Sequence, residues 1–140
     1  MNLVVDTSVW SLILRRPQAD GTHPLVQAFR AHLEADDGIL LIGTILQELL
    51  DGLREKKDFD RLKRLLDPFP LLPLERDTYI AAAALRQHCR TKGVQATAGD
   101  CLIAAACIEH GFPLLTADRD FFHIAKHSEL VLLPSERSRQ

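Results

Sequence analysis

Five short runs, apolar at nearly every position, constrain this chain's fold more than any other feature: 3–6, 39–42, 71–74, 113–116 and 130–133. A strand with one wet face alternates apolar and polar side chains. A strand that is apolar at successive positions needs cover on both faces, as in a parallel sheet flanked by helices. Segments of helical composition lie between the runs, at 8–14, 25–34, 44–54, 58–66, 76–92, 100–110 and 119–126. Gly93 follows the basic turn Arg90-Thr91-Lys92, Gly111 closes the next helical segment, and Pro68 and Pro70 follow the segment at 58–66. These are helix stop signals. The alternation predicts an α/β fold with a central parallel sheet of about five strands and helices on both faces. No internal repeat or linker divides the chain, so a single domain is expected over 1–140, with its core at about 3–133 and a short tail at 134–140.

Hydrophobic residues make up 46% and charged residues 26% of the chain, which excludes the disordered and low-complexity classes. Seventeen Lys and Arg against nineteen Asp and Glu give a net charge of −2, without the basic excess common in nucleic-acid binders. A nucleic-acid function must therefore rest on local sites. Cys89, Cys101 and Cys107 form neither a C-x-x-C pair nor an even-numbered disulfide framework. The start, Met1 to Asp6, lacks the basic and apolar regions of a signal peptide, and no apolar run approaches the ~20 residues of a membrane span. These features point to a soluble, cytoplasmic protein without a membrane partner.

Open parallel sheets bind ligands beyond the carboxyl ends of their strands. Asp6 stands after the first run and Asp118 after the fourth, and both reach one crevice if those strands are neighbours. Each also suits a helix N-cap, and the two roles are compatible. Asp100 opens a segment that is apolar nearly all round up to Glu109. It either complements the helix dipole or presents a carboxylate to the crevice. Glu48 lies opposite the stripe formed by Leu46, Leu49, Leu50 and Leu53, on the same side as Asp51, and periodicity does not choose between these two acids.

Several carboxylates in one crevice raise one another's pKa and repel. A divalent cation removes that cost, and oxygen-only ligands favour Mg²⁺ or Mn²⁺. The motifs Val5-Asp6-Thr7-Ser8-Val9-Trp10, Glu48-Leu49 leading to Gly52-Leu53, Asp100-x-Leu102-Ile103-Ala104-Ala105 and Leu115-Thr116-x-Asp118-x-Asp120-Phe121 occur in this order. In combination they resemble the PIN-domain family, and within it the stand-alone VapC-type toxins of toxin–antitoxin pairs. The resemblance places the family's four acids on Asp6, Glu48, Asp100 and Asp118, with Asp6, Asp100 and Asp118 as metal ligands. Ser8, Thr116 and Asp120 fall on supporting polar positions. One departure is Gly99, where many members carry alanine or another small residue. The resemblance implies a five-stranded parallel sheet, Mg²⁺- or Mn²⁺-dependent endoribonuclease activity on an RNA substrate, a homodimer, and inhibition by a cognate antitoxin.

His123 and His127 stand four apart without H-E-x-x-H, and read as surface histidines. Phosphate-binding glycine loops are absent. Residues 54–64 carry six basic and three acidic side chains, either a phosphate-contacting surface or a solvated helix. Arg15, Arg16 and Arg119 lie nearer the strand ends and are candidates for RNA phosphates. The row Ala81-Ala82-Ala83-Ala84 suits either core packing or a dimer seam. Two rival functions follow: a non-catalytic PIN-like binding module, and a haloacid-dehalogenase-like phosphohydrolase with Asp6 as nucleophile. The second rival normally requires an Asp where Ser8 stands.

Overall fold

The computed structural model of the chain describes residues 1–15 and 23–134. Arg16 lies outside them. The chain order is β1 (Asn2–Val5), α1 (Thr7–Arg15), α2 (Pro24–Glu34), β2 (Gly38–Leu40), α3 (Gly43–Asp51), α4 (Lys56–Leu66), α5 (Arg76–Thr91), α6 (Ala98–His110), β3 (Leu114–Leu115), α7 (Asp120–Lys126) and β4 (Leu132–Leu133). The strands form one parallel sheet in the order β2-β1-β3-β4. Leu3, Val4 and Val5 are successive in β1 and all 0% exposed, so both faces of the sheet are covered.

The expected fifth strand at 71–74 is instead a single parallel bridge, Leu41 to Leu71, outside the four-stranded sheet. The Leu41 N–H donates to the Pro70 carbonyl at 2.9 Å, and the Leu72 N–H donates to the Leu41 carbonyl at 2.7 Å. The next ladder bond would run from the Gly43 N–H to the Leu72 carbonyl, but Gly43 already opens α3, so an apolar run of strand length yields one bridge at an edge.

The two glycine stops are present. Gly111 has φ 68° and Gly93 has φ 76°, the left-handed region that costs other residues energy. Phe112 N–H reaches back to the Cys107 carbonyl at 2.9 Å, and Val94 N–H to the Cys89 carbonyl at 2.9 Å. Helix α6, buried from Cys101 to Cys107, is the central helix of the core, and α5 packs along it. The contact is pinned at both ends of the interface. Thr78 Oγ1 donates to Glu109 at 2.6 Å, and Arg86 Nε donates to the Ala96 carbonyl at 3.0 Å.

Trp10, 1% exposed, ties α1 to the rest. Its ring meets Phe29 of α2 edge-on at 5.2 Å and Phe69, beyond α4, at 5.1 Å. Replacing it empties the junction of three segments. Trp10→Ala is expected to cost about 3–5 kcal/mol of unfolding free energy in urea titrations, and Trp10→Phe markedly less.

Candidate metal centre at the strand ends

The strand order places β1 between β2 and β3, so the chain leaves β1 to one side and returns on the other. A crevice opens at such a reversal, beyond the carboxyl ends of the strands. Val5 pairs with Leu115, and the residues that follow each of them meet there.

Asp6 is only 5% exposed, and its charge is held by hydroxyl groups. Oδ2 accepts from Ser8 Oγ at 2.8 Å and from Thr116 Oγ1 at 2.9 Å. Ser8 N–H adds a longer bond of 3.4 Å to the same oxygen, so Asp6 also caps α1. The two hydroxyls serve the opposite strand end in turn. Ser8 Oγ accepts from Ala117 N–H at 3.0 Å, and Thr116 Oγ1 accepts from Asp118 N–H at 3.0 Å. Asp118 then accepts from Asp120 N–H at 2.9 Å, which shapes the entry to α7. Asp6 therefore caps α1 as expected, whereas the N-cap of α7 is Arg119 and Asp118 shapes the turn before it.

Asp100 is the third residue of α6. The helix starts two residues earlier than its apolar pattern indicated, because Thr97 is its N-cap and accepts from Asp100 N–H at 3.1 Å. The signal was present as Thr97-x-x-Asp100, the spacing of a capping box. Carboxylate oxygens of Asp100, Asp118 and Asp120 all lie within 4.8 Å of one another. Asp120, expected in a supporting position, thus stands inside the acidic group. Asp6 lies outside that trio but close enough to act on it. Burial, then the charges of Asp118 and Asp6, push the Asp100 carboxyl up to about 6, with a smaller push from Asp120 and an opposing hydrogen bond with Thr97. The charges that raise it, those of Asp118, Asp6 and Asp120, are all carboxylates.

Glu48 is exposed on α3, at the edge of the crevice rather than in the trio. Thr7 Oγ1, at the start of α1, donates to it at 3.3 Å, a contact that distinguishes it from Asp51. Arg119 is exposed between Asp118 and Asp120 and forms no ion pair among the described residues. Arg15 is the last residue of α1. Gly99 is not enforced by space, since a Cβ there would meet nothing within 4 Å. His123 is exposed, and neither it nor His127 joins a ligand group among the described residues. All three cysteines are buried and free, and burial lifts the Cys107 thiol to about 12. Among the described residues no helix is long and apolar enough to cross a membrane.

With this geometry the class of protein is defined. The PIN-domain family model matches residues 3–127, and the chain belongs to that family. Within it, the chain is 31% identical over 130 residues to ribonuclease VapC11 of Mycobacterium tuberculosis, covering 91% of this chain and 95% of the relative. The fold is shared with VapBC2 of Rickettsia felis, solved bound to a DNA fragment from its promoter, with a TM-score of 0.75 and 19% identity over 94% of this chain and 97% of that one. It is shared also with VapBC-5 of M. tuberculosis, a member of the VapBC family of toxin–antitoxin systems, with a TM-score of 0.65 and 21% identity over 94% and 96% of the two chains.

The raised Asp100 pKa has a signed consequence for stability. The folded chain keeps this proton up to about pH 6, whereas the ordinary value is 3.8, so the folded state binds more protons between the two. Stability from that proton is full below the lower value and is lost as pH rises through about 6. In EDTA, Asp100→Asn is expected to exceed the unsubstituted chain by about 1–2 kcal/mol at pH 8, after allowance for solvent screening, and to lose most of that advantage at pH 4. Urea unfolding at the two pH values checks this. An equal gap at both would show that charge repulsion is not its source.

Proposed function

We propose that the chain is a metal-dependent endoribonuclease, the toxin component of a toxin–antitoxin pair. The observation that carries this reading is the trio Asp100, Asp118 and Asp120, drawn within 4.8 Å with Asp6 beside it and with no ion pair to it among the described residues. The 31% identity to a VapC ribonuclease supports it independently.

The donor set fits a hard divalent cation. Every available ligand atom is a carboxylate oxygen, which suits Mg²⁺ or Mn²⁺ and neither zinc nor copper. Asp100 and Asp118 would hold the ion, joined by Asp6 or Asp120. When bound, Mg²⁺ polarises a phosphodiester and acidifies a water. Asp6 enters this arrangement with one oxygen already fixed by Ser8 and Thr116, so its second oxygen has a set direction. Ser8 and Thr116 are positioning residues, since they act through Asp6 and through the backbone at 117–118. Glu48, held by Thr7 at the crevice edge, orients the attacking water. Attack by water in line with the leaving oxygen gives a 5′-phosphate and a 3′-hydroxyl, without use of the RNA 2′-hydroxyl. The aspartyl-phosphate alternative asks for an exposed Asp6 and an acid where Ser8 stands, whereas Asp6 is 5% exposed and receives the Ser8 hydroxyl.

A homodimer and a cognate antitoxin complete the proposal. The antitoxin reading draws on the toxin–antitoxin system to which the similar fold of VapBC-5 belongs. Co-expression with the protein encoded beside it, followed by co-purification and loss of cleavage, tests the partner. Sedimentation equilibrium tests the dimer.

Cleavage of cellular RNA is expected to stop in EDTA and to return with Mg²⁺ or Mn²⁺. Asp100→Asn and Asp118→Asn should each lower the rate by at least about 100-fold, and Ser8→Ala by roughly 10- to 100-fold, as for an outer partner of a metal ligand. Undiminished cleavage in EDTA, or products ending in a 2′,3′-cyclic phosphate, would overturn the mechanism.

A further inference from the structure

A cavity of about 530 Å³ lies between α5 and α6, with Tyr79, Ala83, Arg86 and Arg90 on one side and Gly99 and Leu102 on the other. It does not end there. A second hollow, about 270 Å³, shares Arg86 and Arg90 with the first and continues to Val94, Gln95 and Ala96. A third, about 200 Å³, takes over at Val94 to Ala96 and reaches His123 and Asp120. The three form one trough. It meets the acidic trio at Asp120, and Gly99, the residue before Asp100, lines the first hollow.

The charge along the trough is of one sign until Asp120. Arg86 and Arg90 stand four apart on one helix face, where like charges repel. A helix selected for stability alone would offer one of them an acid, yet neither has an ion pair among the described residues. Arg86 spends one of its five N–H donors on the Ala96 carbonyl, which fixes the trough's edge and leaves the guanidinium fork for an anion. Tyr79 lines the same hollow and is 54% exposed. From Tyr79 to Arg90 the helix rises ~16 Å, a span for about two or three extended nucleotides.

We infer that this trough is the subsite for single-stranded RNA flanking the scissile bond, with Arg86 and Arg90 holding phosphates and Tyr79 stacking a base. The inference rests on the ribonuclease reading and adds where the strand runs. An acidic metal centre repels the phosphates next to the one it cleaves, and two unpaired arginines along the exit path offset that repulsion. Stacking on one tyrosine tolerates any base, and a duplex, whose bases are already stacked, gains nothing from it.

The test is fluorescence anisotropy with a short labelled single-stranded RNA of mixed sequence, in an Asp118→Asn background that prevents turnover. Cleavage of the same RNA by the otherwise intact chain is measured in parallel. Arg90→Gln should weaken binding about tenfold and reduce the slope of log K against log salt by about 0.7. Tyr79→Ala should weaken it roughly 5- to 100-fold, with Tyr79→Phe retaining it. Ala83→Leu is exposed and keeps helix propensity, so it obstructs the trough without emptying the core, and should weaken binding as well. Unchanged binding in all three variants, with cleavage by the intact chain, would overturn the trough and leave the ribonuclease reading standing. An intact chain that neither binds nor cleaves RNA would overturn both. Variants that dissociate a dimer without altering RNA affinity would assign this face to a second copy of the chain and overturn the inference.

Discussion

The bond from Thr116 Oγ1 to Asp6 Oδ2, 2.9 Å long between residues 110 apart, is the contact on which the rest of this site depends. It forms because β1 and β3 are adjacent and in register, Val5 opposite Leu115. That adjacency brings the first acid and the fourth motif to one point. The hydroxyls then pass the order outward, from Asp6 through Thr116 and Ser8 to the backbone at 117–118, and on through Asp118 to Asp120. A one-residue slip of β3 against β1 would turn the Thr116 side chain to the other face of the sheet and break this chain of bonds at its first link.

The crevice is expensive for the fold. Four carboxylates share it, one buried and another pushed up to about 6. The chain offsets part of the cost itself. Asp6 caps α1 and Asp100 sits in the first turn of α6, so two helix N-termini direct their partial positive charge at the acids. Hydroxyl donors supply more. None of these carries a full charge, and the remaining deficit is what a divalent cation or a proton can meet.

Much of this was legible in the residues, for physical reasons that differ from element to element. The buried strands and α6 read clearly because they are apolar on all sides, and Gly93 and Gly111 marked helix ends because a positive φ favours glycine. The run at 71–74 misled because apolar length says nothing about the partner segment, which turns into α3 at Gly43, two residues past the bridge. Thr97 was overlooked since its cap precedes the apolar pattern that announces α6. Asp120 was ranked as support because adjacency to Asp118 along the chain does not reveal that the turn between them points both carboxylates at Asp100. The trough was invisible in the sequence for a related reason. The residues from Tyr79 to Arg90 read as one mixed helix face until α6 and the loop after Gly93 supply the opposite wall.

The separation of charge along that trough is what links stability to function here. Arginines and Asp120 line adjoining hollows, and Arg86 turns its Nε to the Ala96 carbonyl while no ion pair reaches the trio among the described residues. Pairing them would relieve the repulsion within the trio, at the cost of the site. A paired aspartate is a poorer ligand for a cation, and a paired arginine is a poorer ligand for a phosphate. Holding the two signs apart keeps both ends of the trough unsatisfied in the free protein. A polyanion that brings phosphates to the arginines, together with a cation at the carboxylates, satisfies both at once, and neither ligand alone does.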